Sequence, residues 1–252
     1  MKIQSKTYNK SLWKTGVLFI MISALSMQSM KAQLSDKYEG YEQRVYKGMP
    51  YGLFKPVNYN PDISYPLIVY LHGSTDTVSR DILWYKESIQ SINPSFVLSP
   101  KTTEANLGWG DTWNNTNGDA QKKVMELVDI LVEQYNINTS RLYIYGISMG
   151  AFGVFSVLSN YPEKFAAAYA VCGGSSINVA DKMLSTPLWI FHGEMDDVVP
   201  VRFSREIYNE IVKLGGKKVK YTEYPGVKHN SWENVSQEKE LGNWLFSYER
   251  GK

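Results

Sequence analysis

The chain has 252 residues, 43% of them hydrophobic, and a formal net charge of +2. This length suits one α/β domain with a large core. The charges form no basic stripe with interleaved aromatic residues, which argues against a nucleic-acid-binding protein. The single cysteine, Cys172, cannot form an intramolecular disulfide, so we expect it to pack as a small buried hydrophobic side chain.

The first 32 residues are typical of an export signal. Four lysines precede the apolar run "GVLFIMISAL" (residues 16–25), which is too short for a comfortable membrane span but suits the hydrophobic region of a signal peptide. Cleavage after Ala32 would start the mature chain near Gln33 and leave 22 Lys and Arg against 25 Asp and Glu, a net charge of −3. We therefore expect a cleaved signal peptide over residues 1–32 and a secreted or periplasmic protein without a stable membrane anchor. An uncleaved N-terminal anchor is the alternative.

The rest of the chain alternates strand-like and helix-like stretches. Nearly continuous apolar runs, which are typical of strands buried on both faces, occupy residues 65–73, 95–100, 141–146, 166–174 and 186–193. A further strand is predicted at 218–224 and an antiparallel pair at 43–59. Helices are predicted at 119–135, 151–159, 203–214 and about 237–248. This order predicts a doubly wound, mostly parallel α/β sheet in one catalytic domain, residues 33–252.

A serine lies between two glycines where a strand is predicted to turn into a helix, in the segment Gly146-Ile147-Ser148-Met149-Gly150. Glycine and serine are common in ordinary turns, so the motif alone decides nothing. In a nucleophile elbow, however, the glycines make room for a strained turn that exposes the serine oxygen at the end of the sheet. The position after a strand and before a helix favours Ser148 as a nucleophile.

A serine nucleophile needs a base and an acid that orients the base. Of the three histidines, His72 and His192 each precede a glycine at the end of a predicted strand. His229 follows the last predicted strand, where the order serine, acid, histidine places the base. The loop after residue 193 offers two candidate acids, Asp196 and Asp197, and residue chemistry alone does not separate them.

An oxyanion hole needs two backbone N–H groups. One is expected from Met149, which follows the nucleophile. The other is expected from the loop "HGST", with Ser74 as the donor and Gly73 allowing the backbone to come close. We expect His72 to be a structural histidine that forms hydrogen bonds within this loop.

Four blocks carry a family resemblance: "YPLIVYLHG", "NTSRLYIYGISMGAFG", "PLWIFHGEMDDVVPV" and "YPGVKHNSW". Together they resemble the esterase side of the α/β-hydrolase superfamily, in particular secreted bacterial feruloyl and acetylxylan esterases, polyhydroxybutyrate depolymerases and peptidases of the prolyl oligopeptidase type. The resemblance covers residues 51–245 and implies the α/β-hydrolase fold. The family's "HGxxDxxVP" block implies that the acid is Asp196. Ala151 replaces a second glycine found in many relatives, and alanine is small enough for the same turn.

The spacing between Ser148, Asp196 and His229 leaves no room for a large lid domain, and the resemblance implies neither a cofactor nor a metal. Loop tryptophans can stack on sugar or aromatic rings, so Trp109, Trp113 and Trp232 are candidate substrate contacts. A purely structural role for them is the alternative.

We therefore expect a serine hydrolase that cleaves small-molecule or polysaccharide-linked carboxylic esters, such as acyl or feruloyl groups, through an acyl-enzyme. A serine peptidase and a non-catalytic binding protein on the same fold are the alternatives, since a fold hosts many functions.

Overall fold

The computed structural model describes residues 39–74, 83–102, 108–114 and 116–251, and all of its helices and strands fall within one compact unit, Gly40–Lys252. The predicted signal peptide at residues 1–32 and the predicted mature start at Gln33 lie outside the described residues. Among the described helices, none combines the length and apolar character needed to cross a membrane.

Eight strands form one sheet in the order β1-β2-β4-β3-β5-β6-β7-β8. Their bounds are β1 Tyr41–Tyr46, β2 Met49–Phe54, β3 Tyr65–Leu71, β4 Phe96–Pro100, β5 Ile137–Ile147, β6 Ala167–Val171, β7 Leu188–Gly193 and β8 Val219–Tyr224. β2 is antiparallel to both of its neighbours, and all other pairs are parallel. This confirms the predicted α/β-hydrolase fold with a mostly parallel sheet.

The hairpin between β1 and β2 turns at Lys47 and Gly48, whose φ angles are 45° and 79°. Two successive positive φ values match the right-handed twist of paired strands, which explains a glycine at this place.

Six α-helices are described: α1 Glu87–Gln90, α2 Asp119–Gln134, α3 Met149–Asn160, α4 Arg202–Lys213, α5 Trp232–Val235 and α6 Leu241–Phe246. Two 3-10 helices occupy Leu83–Tyr85 and Ile177–Met183. The final helix was predicted from residue 237 but begins at Leu241. Before it, Glu238 N–H donates to Val235 O in a tight turn, and the buried side chains of Leu241 and Leu245 then define the helical stretch.

The two faces of the sheet have different chemistry because successive side chains of a strand point to opposite sides. One face is aliphatic and joins a single apolar cluster with α2, α3 and α4. Its strand residues include Leu67, Val69, Leu142, Ile144 and Ile190. Each such fully buried side chain contributes about 1.5–3 kcal/mol of hydrophobic stabilisation.

The opposite face is aromatic. Tyr70, Tyr145 and Tyr169 lie side by side on β3, β5 and β6, with ring centroids 4.7 and 4.6 Å apart. Trp84 covers this row and donates its Nε1–H to the Tyr169 hydroxyl at 2.9 Å. Phe246 of α6 packs against Trp84, so the C-terminal helix closes this face of the sheet.

Candidate active site

Ser148 connects the end of β5 to the start of α3 with φ 54° and ψ −116°. This left-handed backbone costs a non-glycine residue about 1–3 kcal/mol. The Ser148 N–H donates to Val171 O at 2.9 Å, which ties the turn to the end of β6.

The glycines on either side are sterically required. A Cβ atom on Gly146 would lie 2.1 Å from the carbonyl oxygen of Gly150, and a Cβ on Gly150 would lie 1.8 Å from that of Leu71. The chain thus has the tight turn that a nucleophile elbow needs.

The structure brings Ser148, His229 and Asp196 into one line of hydrogen bonds. His229 Nε2 lies 3.0 Å from Ser148 Oγ, and His229 Nδ1 lies 2.8 Å from Asp196 Oδ2. His229 comes from the loop between β8 and α5, and Asp196 from the loop between β7 and α4. The imidazole is 18% exposed, whereas the carboxylate is fully buried.

The two neighbouring aspartates have different surroundings. Asp196 Oδ1 accepts hydrogen bonds from the N–H groups of Val198 and Val199 at 2.9 and 2.8 Å, which fixes the carboxylate within its own loop. Asp197 is 57% exposed and pairs with Lys228 at 3.0 Å. This hydrogen bond from Lys228 lowers the pKa of the Asp197 carboxyl. Geometry therefore places Asp196, and not Asp197, against the imidazole.

The two segments expected to supply the oxyanion donors run next to the nucleophile. Met149 is the first residue of α3, where a backbone N–H has no partner within the helix. A Cβ atom on Gly73 would lie 3.6 Å from Ser148 Cβ, so the loop that carries the exposed Ser74 runs beside the nucleophile. The rest of that loop, residues 75–82, lies outside the described residues.

His72 is buried and braces this loop, which confirms the structural role predicted for it. Its Nε2 accepts a hydrogen bond from Thr102 N–H at 3.1 Å, so its Nδ1 carries the proton and donates to Gly73 O at 2.7 Å.

The three candidate tryptophans have different positions. Trp109 is completely buried and donates its Nε1–H to His72 O at 3.0 Å, so it supports the loop from behind and offers no surface to a substrate. This corrects the substrate contact predicted for Trp109. Trp113 is 45% exposed, and its ring packs against Phe152 and Phe203. Trp232 stands perpendicular to the His229 ring at 5.6 Å.

A cavity of about 180 Å³ lies between α5 and the aromatic face of the sheet. Its wall includes Ile147, which precedes the nucleophile, together with Tyr70, Tyr145 and Trp232. No sequence pattern predicts this cavity, because its walls come from separate strands and a short helix. Phe152, whose ring packs against Trp113, was not predicted as a residue near the site either. It lies four residues after Ser148 on α3, which is one helical turn from the nucleophile.

Cys172 directly follows β6 in a left-handed conformation, with φ 47°, and is fully buried, which confirms its predicted burial. Its Sγ, a carboxylate oxygen of Asp196 and a ring nitrogen of His229 lie within 4.8 Å of one another, a donor set that suits a thiophilic metal ion. His229 Nδ1 and Asp196 Oδ2 share a hydrogen bond of 2.8 Å, so these two residues also interact directly with each other.

A family model described as Phospholipase/Carboxylesterase matches residues 61–239, more than half of the chain. A solved structure described as a thermostable esterase superposes with a TM-score of 0.77 at 33% identity, covering 84% of this chain and 64% of that one.

Two curated relatives have lower identity. Poly(3-hydroxyalkanoate) depolymerase C of Paucimonas lemoignei is 24% identical over 68% of this chain and 41% of its own length. The bifunctional acetylxylan esterase/xylanase XynS20E of Neocallimastix patriciarum is 28% identical over 63% of this chain and 23% of its own. The chain thus matches less than half the length of these two relatives.

Proposed function

The chain belongs to the phospholipase/carboxylesterase family of the α/β-hydrolase fold, and on this premise we propose that it is a secreted serine hydrolase that cleaves carboxylic esters through an acyl-enzyme. The observation that carries the proposal is the unbroken chain of hydrogen bonds from Ser148 through His229 to the buried Asp196, at 3.0 and 2.8 Å. It starts at a strained turn whose serine oxygen faces the imidazole.

In the first half of the reaction, His229 Nε2 takes the proton of Ser148 as Oγ attacks the ester carbonyl carbon. The Met149 and Ser74 N–H groups stabilise the charge on the tetrahedral intermediate. His229 then protonates the leaving alcohol, and the acyl group remains on Ser148. Asp196 holds the histidine tautomer and stabilises the imidazolium formed in between.

In the second half, a water molecule takes the place of the alcohol. His229 removes a proton from the water as its oxygen attacks the acyl carbon. The same N–H groups stabilise the second intermediate, which collapses to release the acid and return the proton to Ser148 Oγ.

The proposed substrates are small or polymer-borne esters, such as acyl or feruloyl groups on polysaccharides. Between Asp196 and His229, where every residue is described, the chain holds only α4 and β8, so no lid covers the site from this stretch. The half-exposed Trp113 is a candidate platform for a sugar or aromatic ring. The names of the two curated relatives are consistent with polymer-borne esters.

The first prediction is that Ser148→Ala yields a folded and inactive protein. The variant should keep the melting temperature of the wild type, because a partly buried, strained serine adds little to the core. Its kcat on p-nitrophenyl acetate should fall by several powers of ten, up to about a millionfold.

A fluorophosphonate probe should add its mass to the wild type and not to the variant. A wild-type protein that stays unlabelled would support a non-catalytic binder instead. Cleavage of peptide p-nitroanilides in preference to esters would support the peptidase. A folded Ser148→Ala protein with wild-type activity would place the site elsewhere.

Export is the second prediction. The lysines and the short apolar run at residues 16–25 lead us to expect that protein from its native host starts near Gln33. N-terminal sequencing measures this directly, and an intact Met1 on the exported or cell-associated protein would contradict it.

A further inference from the structure

His192 is a fully buried histidine that contacts the same carboxylate as His229. It lies at the end of β7, four residues before Asp196. Its Nδ1 is 2.7 Å from Ser204 Oγ on α4, and its Nε2 is 3.0 Å from Val199 O and 3.1 Å from Asp196 Oδ2. Both ring nitrogens are therefore engaged.

These partners determine where the proton of a neutral ring lies. A carbonyl and an ionised carboxylate only accept hydrogen bonds, so a bare Nε2 would direct its lone pair at two oxygens in a buried site. With the proton on Nε2, the N–H is shared between Val199 O and Asp196 Oδ2. The single hydroxyl hydrogen of Ser204 lies within reach of both Gly173 O, at 2.9 Å, and Nδ1, at 2.7 Å, and with the ring proton on Nε2 it is donated to Nδ1.

Burial keeps the ring neutral despite the carboxylates around it. Asp196 faces it from the acid loop, His229 from the histidine loop, and Glu223 from β8, where it is in register with His192. Glu223 is itself paired with Arg205 at 2.6 Å. Burial lowers the pKa of His192 and outweighs the opposing effect of Asp196.

We propose that His192 is a positioning residue for the catalytic acid: its neutral ring, held by Ser204, donates Nε2–H into the acid loop and orients the Asp196 carboxylate toward His229. This rests on the proposed triad. Asp196 Oδ2 then receives N–H groups from two histidines, while Oδ1 receives those of Val198 and Val199. The carboxylate can neither rotate nor turn away from His229 without losing a partner.

The ring state can be measured without any catalytic assay. In protein labelled with ¹⁵N-histidine, two-bond ¹H–¹⁵N correlation spectra separate a ring protonated at Nε2, at Nδ1 or at both. The chain has three histidines, so His72→Gln and His192→Gln suffice to assign the signals. Near neutral pH we expect His192 to be protonated at Nε2 alone. A ring protonated at Nδ1 alone, or at both nitrogens, would overturn the assignment whether or not the protein is an esterase.

The positioning role is tested by comparing His192→Gln with His192→Leu. Glutamine can place an amide N–H near the position of Nε2, whereas leucine cannot. Since a misplacement of about 1 Å in an active site can cost about a hundredfold, we expect kcat to fall about a hundredfold in His192→Leu. In His192→Gln the loss should be about tenfold, and KM should stay unchanged in both.

Ser204→Ala removes the anchor of the ring and should also lower kcat. Ser156→Ala is its matched control, because Ser156 is a buried helical serine that bonds Gln121 far from the triad. Equal losses of kcat in His192→Gln and His192→Leu, or equal losses in the two serine variants, would show that the effect is only on packing and would overturn the positioning role.

Discussion

At the scale of the residue, the sequence left two candidates for the acid that orients His229, and the structure distinguishes them. Asp196 and Asp197 are chemically identical neighbours, and only the path of the loop decides which carboxylate is buried. Asp196 bonds two N–H groups of its own loop and the imidazole, whereas Asp197 points to solvent and Lys228. The resemblance implied the same choice, but the physical cause is a loop conformation that residue chemistry cannot show.

We expect Asp196→Asn to lower kcat by about ten-thousandfold, because the amide has no charge to stabilise the imidazolium and its NH₂ group favours the wrong tautomer of His229. Asp197→Asn is the matched control. It loses an exposed ion pair with Lys228, which is worth about 0–1 kcal/mol, and should keep wild-type kcat. Steady-state kinetics on p-nitrophenyl acetate measure both, and an equal or larger loss in Asp197→Asn would show that the wrong aspartate is in the triad.

At the scale of the element, α3 is held unusually close to the sheet. Gly150 lets the first turn of the helix approach the carbonyl oxygen of Leu71 on β3, and Gly153 lets it approach the Trp109 side chain, where a Cβ would lie 2.3 Å from Trp109 Cβ. The glycine pattern predicted the turn at Ser148. The reason for Gly153 and for the burial of Trp109 lies in a contact between distant segments, which is why the sequence suggested a substrate contact instead.

Gly150→Ala should therefore be destabilising even though alanine favours helices. Its Cβ would lie 1.8 Å from a backbone oxygen that cannot move without shifting β3, so we expect a loss of about 1–3 kcal/mol or more in the free energy of unfolding. Gly242→Ala in α6 is the control, because its Cβ would meet nothing within 4 Å. That variant should gain up to about 1 kcal/mol from helix propensity.

Urea denaturation measures the free energy of unfolding for both glycine variants. A Gly150→Ala protein as stable as Gly242→Ala would contradict the close approach of α3 to β3.

At the scale of the whole molecule, the sheet order brings the site together. Ser74, Ser148, Asp196 and His229 follow β3, β5, β7 and β8, and all four strands are parallel, so their carboxyl ends meet at one edge of the sheet. The sequence predicted the strands and the order of the site residues along the chain. It could not predict the aromatic row of Tyr70, Tyr145 and Tyr169, because which strands become neighbours depends on packing of the entire sheet.

The stability of the whole molecule should decline on mild acidification because of His192. Burial lowers the pKa of His192 in the folded protein below its ordinary value of 6.5. In the unfolded chain the ring takes up a proton as the pH falls through about 6.5, while the folded protein resists it, so the unfolded state binds more protons and is favoured.

The carboxylates whose pKa is lowered in the fold, such as Glu42 and Glu223, add to this effect only below their ordinary value of 4.5. Within the interval between these two values, the comparison of the wild type with His192→Gln therefore isolates the contribution of His192. Melting temperatures across this interval should fall in the wild type and fall less in His192→Gln, even if the variant is less stable at every pH. Parallel curves for the two proteins would show that His192 is protonated to the same extent in the folded and unfolded states, contrary to its burial among Ser204, Val199 and Asp196.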